Sequence, residues 1–248
     1  MCDVCGNAQH EPRVLRRDFL RAGALALAAL VPWSMGVAIA ADLPTLGAPP
    51  PPNAIAPADA LKRLMDGNAR YAANTPNQRD FSSGRAARVQ GQYPIATILS
   101  CADSRVAPEL AFDQGPGDLF VVRVAGNIVN PDLLASLEYG AQFLGVPLIM
   151  VLGHTGCGAV DAAIKVLKTK AVLPGHLPEL ITAIKPAVIL AEKTPTGNLL
   201  DNAATENVRR QVARLKSSPP VVQKLYVDKT IDIVGGVYNL ATGKIALV

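Results

Sequence analysis

Three short stretches of this chain, residues 95–99, 119–124 and 148–152, are apolar runs that carry no charge except Arg123. A strand without a polar face must be covered on both sides, as happens inside a sheet flanked by helices. Between the second and third runs, Asn130-Pro131 opens a segment that Gly145 closes, and within it Leu133, Leu134, Leu137 and Phe143 recur at helical spacing. Strand, helix and strand in that order imply a parallel pair, because parallel neighbours need a crossover connection. Helical periodicity returns at 58–73, 157–170, 177–192 and 202–216, and 75–92 reads as a polar loop or short helix. The final runs, 231–238 and 244–247, flank a turn as a hairpin. The fold class expected is therefore α/β: a mostly parallel sheet of about five strands flanked by helices, with the last strand antiparallel.

Half of the 248 residues are apolar, enough to bury a sizeable core. The formal net charge of +4 provides no dense basic surface, so nucleic acid is not expected as a partner.

The N-terminus has a different character. Arg13, Arg16, Arg17 and Arg21 precede an Ala/Leu-rich run over 22–39 and the small-residue site Ala38-Ile39-Ala40, the order of a secretory signal. Arg16-Arg17 followed by Asp18, Phe19, Leu20 and Arg21 resembles the twin-arginine signal, which sends folded proteins across a bacterial inner membrane. The expectation is a signal peptide over 1–40 cleaved near Ala40, a periplasmic or secreted protein, and only transient membrane contact during export. The alternative is a membrane anchor, since the apolar run approaches the roughly 20 residues that span a bilayer. Cys2, Cys5 and His10 would leave with the signal; a lone Cys-x-x-Cys is a weak metal motif. Residues 41–57 hold six prolines and read as an extended linker, with the folded domain expected over 58–248.

The first apolar run ends in Ser100-Cys101-Ala102-Asp103-Ser104-Arg105, and the third in Gly153-His154-Thr155-Gly156-Cys157-Gly158. Ligands of open parallel sheets sit beyond the carboxyl ends of the strands, so both segments face one crevice. If the backbone stays extended past Ile98, Cys101, Asp103 and Arg105 share a face by the two-residue period. His154 and Cys157, three apart where a helix begins, face the same point. Two thiolates and an imidazole suit zinc, and a catalytic zinc keeps three protein ligands and one open position. His176 is the other Cys or His of the domain, so a closed structural site of two Cys and two His is the alternative. Such a site would leave Asp103 and Arg105 idle, whereas beside a metal ligand they can form a bidentate pair.

The combination Cys101-x-Asp103-Ser104-Arg105 with His154-x-x-Cys157 resembles the β-class carbonic anhydrases, and the likeness continues through 117–127 and the 235–238 and 242–244 hairpin. The resemblance implies reversible hydration of carbon dioxide to bicarbonate and a proton, with one zinc per subunit on Cys101, His154 and Cys157. It implies Asp103 and Arg105 as the catalytic dyad, Gln92, Phe120 and Tyr139 as substrate-pocket residues, and a homodimer or tetramer. In the bacterial subgroup with a regulatory bicarbonate site, a Trp stands three residues before the first Cys; Ile98 occupies that position here. Competing readings are a same-fold zinc hydrolase of COS or CS₂ and a non-catalytic zinc-stabilised scaffold. Export adds an independent constraint, because zinc loaded before translocation would protect both thiols in an oxidising compartment.

Overall fold

A computed structural model describes residue 51 and residues 53–248. The expected signal peptide and most of the Pro-rich stretch lie outside the described residues. Five strands form one sheet: β1 (Ala96–Ser100), β2 (Leu119–Arg123), β3 (Leu148–His154), β4 (Asp232–Tyr238) and β5 (Ile245–Leu247), in the order β2-β1-β3-β4-β5. The first four are parallel and β5 runs antiparallel to β4. The α/β architecture expected from the apolar runs is the one observed.

The lack of a polar face in β3 has a direct explanation. Leu148, Met150 and Leu152 pack with Ile98, Phe112 and Leu64 on one side, while Ile149 and Val151 pack with Leu99, Leu137, Val208 and Leu215 on the other. The first side is covered by α1 (Pro57–Ala72), the second by α4 (Pro131–Gln142) and α7 (Leu199–Lys216). Asn130 caps α4, its side-chain oxygen accepting from the Leu133 N–H at 2.9 Å, and Asn198 caps α7 through Leu200 at 2.7 Å. The remaining helices are α2 (Arg85–Gln90), α3 (Pro108–Ala111), α5 (Gly158–Thr169), α6 (Leu177–Ala191) and α8 (Val221–Val227). Asn53 is buried and its amide donates to the Pro94 and Leu144 carbonyls, so the end of the Pro-rich stretch is tied to the sheet domain ahead of α1.

Two glycines set how closely α7 lies on the sheet. A Cβ at Gly153 would fall 2.5 Å from Val208 Cγ2, and one at Gly235 would fall 2.7 Å from Val208 Cγ1. Val208 is fully buried and stiff at χ1, so it has little room to yield. The approach matters because Gly153 immediately precedes His154. Gly153→Ala is expected to destabilise the domain by about 1–3 kcal/mol through overpacking. Urea unfolding checks this, and an unchanged midpoint would show that α7 can move away without cost.

Candidate active site

Parallel pairing of β1 with β3, in register at Ser100 and Leu152, brings the ends of both strands to one edge. Cys101 follows β1 directly, His154 is the last residue of β3, and Cys157 is the N-cap of α5. The three side chains are buried, and their donor atoms lie within 4.8 Å of one another, with the two sulfurs 4.0 Å apart. His154 Nδ1 is 2.9 Å from the Thr155 carbonyl, which accepts from it and so fixes the ring proton on that nitrogen. Nε2 is left with its lone pair, buried and without a hydrogen-bond partner among the described residues. Burying a polar atom unpaired is costly. An orphaned imidazole nitrogen beside two sulfurs is a donor set that fits zinc.

The two sulfurs are within hydrogen-bonding reach of each other. The Cys101 thiol is pulled down to about 4, chiefly by donation from the Cys157 thiol and further by His154, against the opposing effect of burial. Cys157 is pushed up by its role as donor to Cys101 and by its own burial. Burial alone would lower His154, but its direct interaction with the Cys101 sulfur, the Cys101 charge, the Thr155 carbonyl and Asp103 together outweigh it and the imidazole rises. A cation bound here would take both sulfurs as thiolates and so displace thiol protons.

Asp103 reaches the cluster by a different route from the extended backbone expected at 101–105. The strand ends at Ser100, and the chain turns, with the Val106 N–H donating to the Asp103 carbonyl at 3.0 Å. The turn brings Arg105 back onto its neighbour, with Nε 2.9 Å from Oδ1, Nη2 2.7 Å from Oδ2, and the Arg105 backbone N–H on Oδ1 at 3.0 Å. A carboxylate two residues ahead of a backbone N–H closes such a turn readily, and strand periodicity does not anticipate it. These hydrogen bonds hold the Asp103 carboxyl well below the usual carboxylate range. Its Oδ2 lies 3.8 Å from His154 Nε2.

Arg123, the single charge in the apolar runs, secures the loop: its Nε donates to the Cys101 carbonyl at 3.1 Å and its Nη2 to the Asp103 carbonyl at 2.8 Å. Its signal in the sequence is a lone charge in an otherwise apolar strand, which by itself carries no role. The Gly126 N–H donates to Cys101 Sγ at 3.3 Å. His176 stands apart at the N-cap of α6, 96% exposed and paired with Glu179, so the cluster is not closed by a fourth side chain from this residue.

The expected pocket residues are not gathered at the cluster within one chain. Phe120 is paired in register with Thr97, four residues before Cys101, or about 13 Å along the strand. It packs beside Tyr139 on α4, ring centroids 6.1 Å apart, and Tyr139 stacks on Phe143 at 5.5 Å. Gln92 is exposed beyond α2, on the rim of a surface groove that Arg88, Tyr93 and Asp118 also line.

The carbonic anhydrase family model matches residues 96–245. A carbonic anhydrase of Mycolicibacterium smegmatis is 38% identical over 192 residues, covering 77% of this chain and 93% of that protein. The chain belongs to the β-carbonic anhydrase family. Carbonic anhydrase 2 of Mycobacterium tuberculosis is also 38% identical, over 92% of its length. Among solved structures, the β-carbonic anhydrase CcaA superposes with a TM-score of 0.58 at 28% identity, covering 75% of this chain and 94% of CcaA. A Coccomyxa β-carbonic anhydrase in complex with acetazolamide gives 0.60 at 26%, covering 76% and 86%. The protein is an enzyme of this family and catalyses hydration of carbon dioxide.

The donor set predicts its own metal content. The chain is expected to hold one zinc, and Cys157→Ser to lose it, because one sulfur and one nitrogen make too poor a site. Full zinc occupancy of that variant by metal analysis would place the metal elsewhere.

Proposed function

We propose that Cys101, His154 and Cys157 hold one catalytic zinc per subunit and that Asp103, restrained by Arg105, aims the attacking oxygen at carbon dioxide. The observation that carries this reading is the orphaned His154 Nε2, facing two sulfurs with the Asp103 carboxylate 3.8 Å away. Zinc, when bound, supplies hydroxide near neutral pH by lowering the pKa of a coordinated water, an effect for which the three-histidine carbonic anhydrases are the standard example.

Everything else is done by side chains of this protein. Asp103 stays ionised because Arg105 forks onto both of its oxygens. As an acceptor it takes the proton of the attacking O–H in a hydrogen bond, and a lone pair of that oxygen is then directed at the carbon. Arg123 holds the backbone carbonyls of Cys101 and Asp103, so the ligand and the acceptor keep a fixed separation. Arg105 has a second duty: Asp103 Oδ2 lies 3.8 Å from His154 Nε2, and a carboxylate released from the guanidinium would be free to join the residues that would hold the metal.

Gln92, Phe120 and Tyr139 remain in the proposal as substrate-pocket residues, contributed across an interface between copies. In favour of this stand the distance from the cluster of the same chain and the exposure of the aromatic patch, with Tyr139 46% and Phe143 71% accessible. A homodimer or tetramer would cover that patch. A β-carbonic anhydrase of Sordaria macrospora that shares the fold is tetrameric.

For location we propose export of the folded, zinc-loaded protein to the periplasm or beyond, on the strength of Arg16-Arg17 and the apolar run that follows. Replacing both with Lys (Arg16→Lys, Arg17→Lys) is expected to retain the precursor in the cytoplasm. Cell fractionation checks this, and unchanged export would assign the general secretory route.

The dyad separates into two testable roles. Asp103→Asn is expected to keep zinc and lose about 10–100-fold in hydration rate at every pH, since Asn held by Arg105 cannot accept as a carboxylate does. Arg105→Ala leaves Asp103 ionised and unpaired beside a cation, so its loss should be deepest at low pH. As pH rises, hydroxide competes better for the open position and activity should return. Parallel pH–rate profiles for the two variants would refute Arg105 as the restraint on Asp103.

A further inference from the structure

The buried face of α7 carries two polar residues, Asn207 and Gln211, where a helix packed on a sheet ordinarily presents apolar ones. Asn is a poor residue for a helix interior, and a buried amide is costly unless its hydrogen bonds are met. Here they are met in a single direction. The Val129 N–H donates to Gln211 Oε1 at 3.0 Å, Gln211 Nε2 donates to Asn207 Oδ1 at 3.3 Å, and Asn207 Nδ2 donates to the Gly126 carbonyl at 2.7 Å. The chain of donors ends on the residue whose own N–H donates to Cys101 Sγ.

Gly126 is confined from the other side as well. Its φ of 71° is in the left-handed region, and a Cβ there would lie 2.6 Å from Ile184 Cδ1 and 3.3 Å from Ala159 Cβ. The surroundings of α5 and α6 leave this backbone no room to rotate toward them, and Asn207 grips its carbonyl. Fixing the carbonyl fixes the plane that follows Gly126, and with the left-handed φ the direction of the N–H that precedes it.

We propose that Asn207 is a positioning residue of the metal centre: through the Gly126 carbonyl it keeps the Gly126 N–H on the Cys101 sulfur. An N–H donated to a thiolate withdraws electron density from it, so the sulfur gives less charge to a bound metal. With two thiolates in the first shell, the ligand charge cancels that of a divalent ion, and hydrogen bonds to sulfur are a means by which the protein returns some of that positive character. Asn207 touches neither metal nor substrate and acts only through the backbone of Gly126. The inference rests on the assignment of Cys101, His154 and Cys157 as metal ligands.

Cobalt(II) in place of zinc makes the sulfur visible, because sulfur-to-cobalt charge-transfer absorption reports how strongly the thiolates donate. Asn207→Leu in the full chain, which removes the donor from Gly126, is expected to shift this absorption to longer wavelength. Gln211→Met, which frees the Asn207 amide to turn while leaving it in place, should shift it in the same direction by less and carries the test if Asn207→Leu does not fold. Loss of thermal stability with the absorption unmoved in the variants that fold would overturn the proposal, since a purely structural role affects stability alone. A wild-type protein that takes up cobalt without any sulfur charge-transfer band would instead refute the metal assignment, and the two failures are thereby told apart.

Discussion

Parallel pairing of β1 with β3 is the constraint on which the chemistry depends. With Ser100 opposite Leu152, the next residue of β1 and the last of β3 fall at one edge of the sheet, and a sulfur and an imidazole separated by more than fifty residues become neighbours. The pairing is held by burial on both faces: Ile98, Met150 and Leu152 go to the side of α1, and Leu99, Ile149 and Val151 go to the side of α4 and α7. A one-residue slip would exchange those faces and carry Cys101 away from His154. Cys157 joins them because the chain turns immediately after β3 and starts α5 with that residue as N-cap.

Around the triad the protein manages charge at short range. Two sulfurs 4.0 Å apart hydrogen-bond each other, which pulls the Cys101 thiol down and pushes the Cys157 thiol up. Asp103 would be drawn toward any cation held there, and a bidentate guanidinium on both its oxygens opposes that attraction. Arg123 and Gly126 act on the same short loop, one through carbonyls and the other through the Cys101 sulfur. The separation of Asp103 from the cluster is thus set by donors on Arg105, Arg123 and Gly126 and not by the stiffness of a strand.

The sheet was legible in the sequence because strands covered on both faces must be apolar throughout, and the three runs have no other economical explanation. The Cys-His-Cys cluster was legible because soft side chains at strand ends are few: in the domain only Cys101, Cys157, His154 and His176 qualify, and His176 lies in an exposed segment at the start of α6. Strand periodicity misread the path to Asp103 and Arg105, since an aspartate that accepts its own downstream N–H turns the chain before period two can apply. Asn207 bonds the backbone carbonyl of Gly126, distant in sequence, and nothing in local pattern announces such a bond, whereas Arg123 stands out as a lone charge in an apolar run although its partners, the Cys101 and Asp103 carbonyls, do not. Phe120 and Tyr139 are pocket residues by family likeness alone, and within one chain they form an aromatic patch with Phe143, not a wall of the Cys-His-Cys cluster.

The account stands on one equivalence, that the Cys101, His154 and Cys157 site and the hydration activity are the same site. Measuring carbon dioxide hydration by stopped flow while zinc is titrated into the chelator-stripped protein tests it most directly. The rate should rise in proportion to bound zinc and level off at one zinc per chain. Full activity in the zinc-free protein, or a protein that binds one zinc at these three residues and remains inactive, would contradict it.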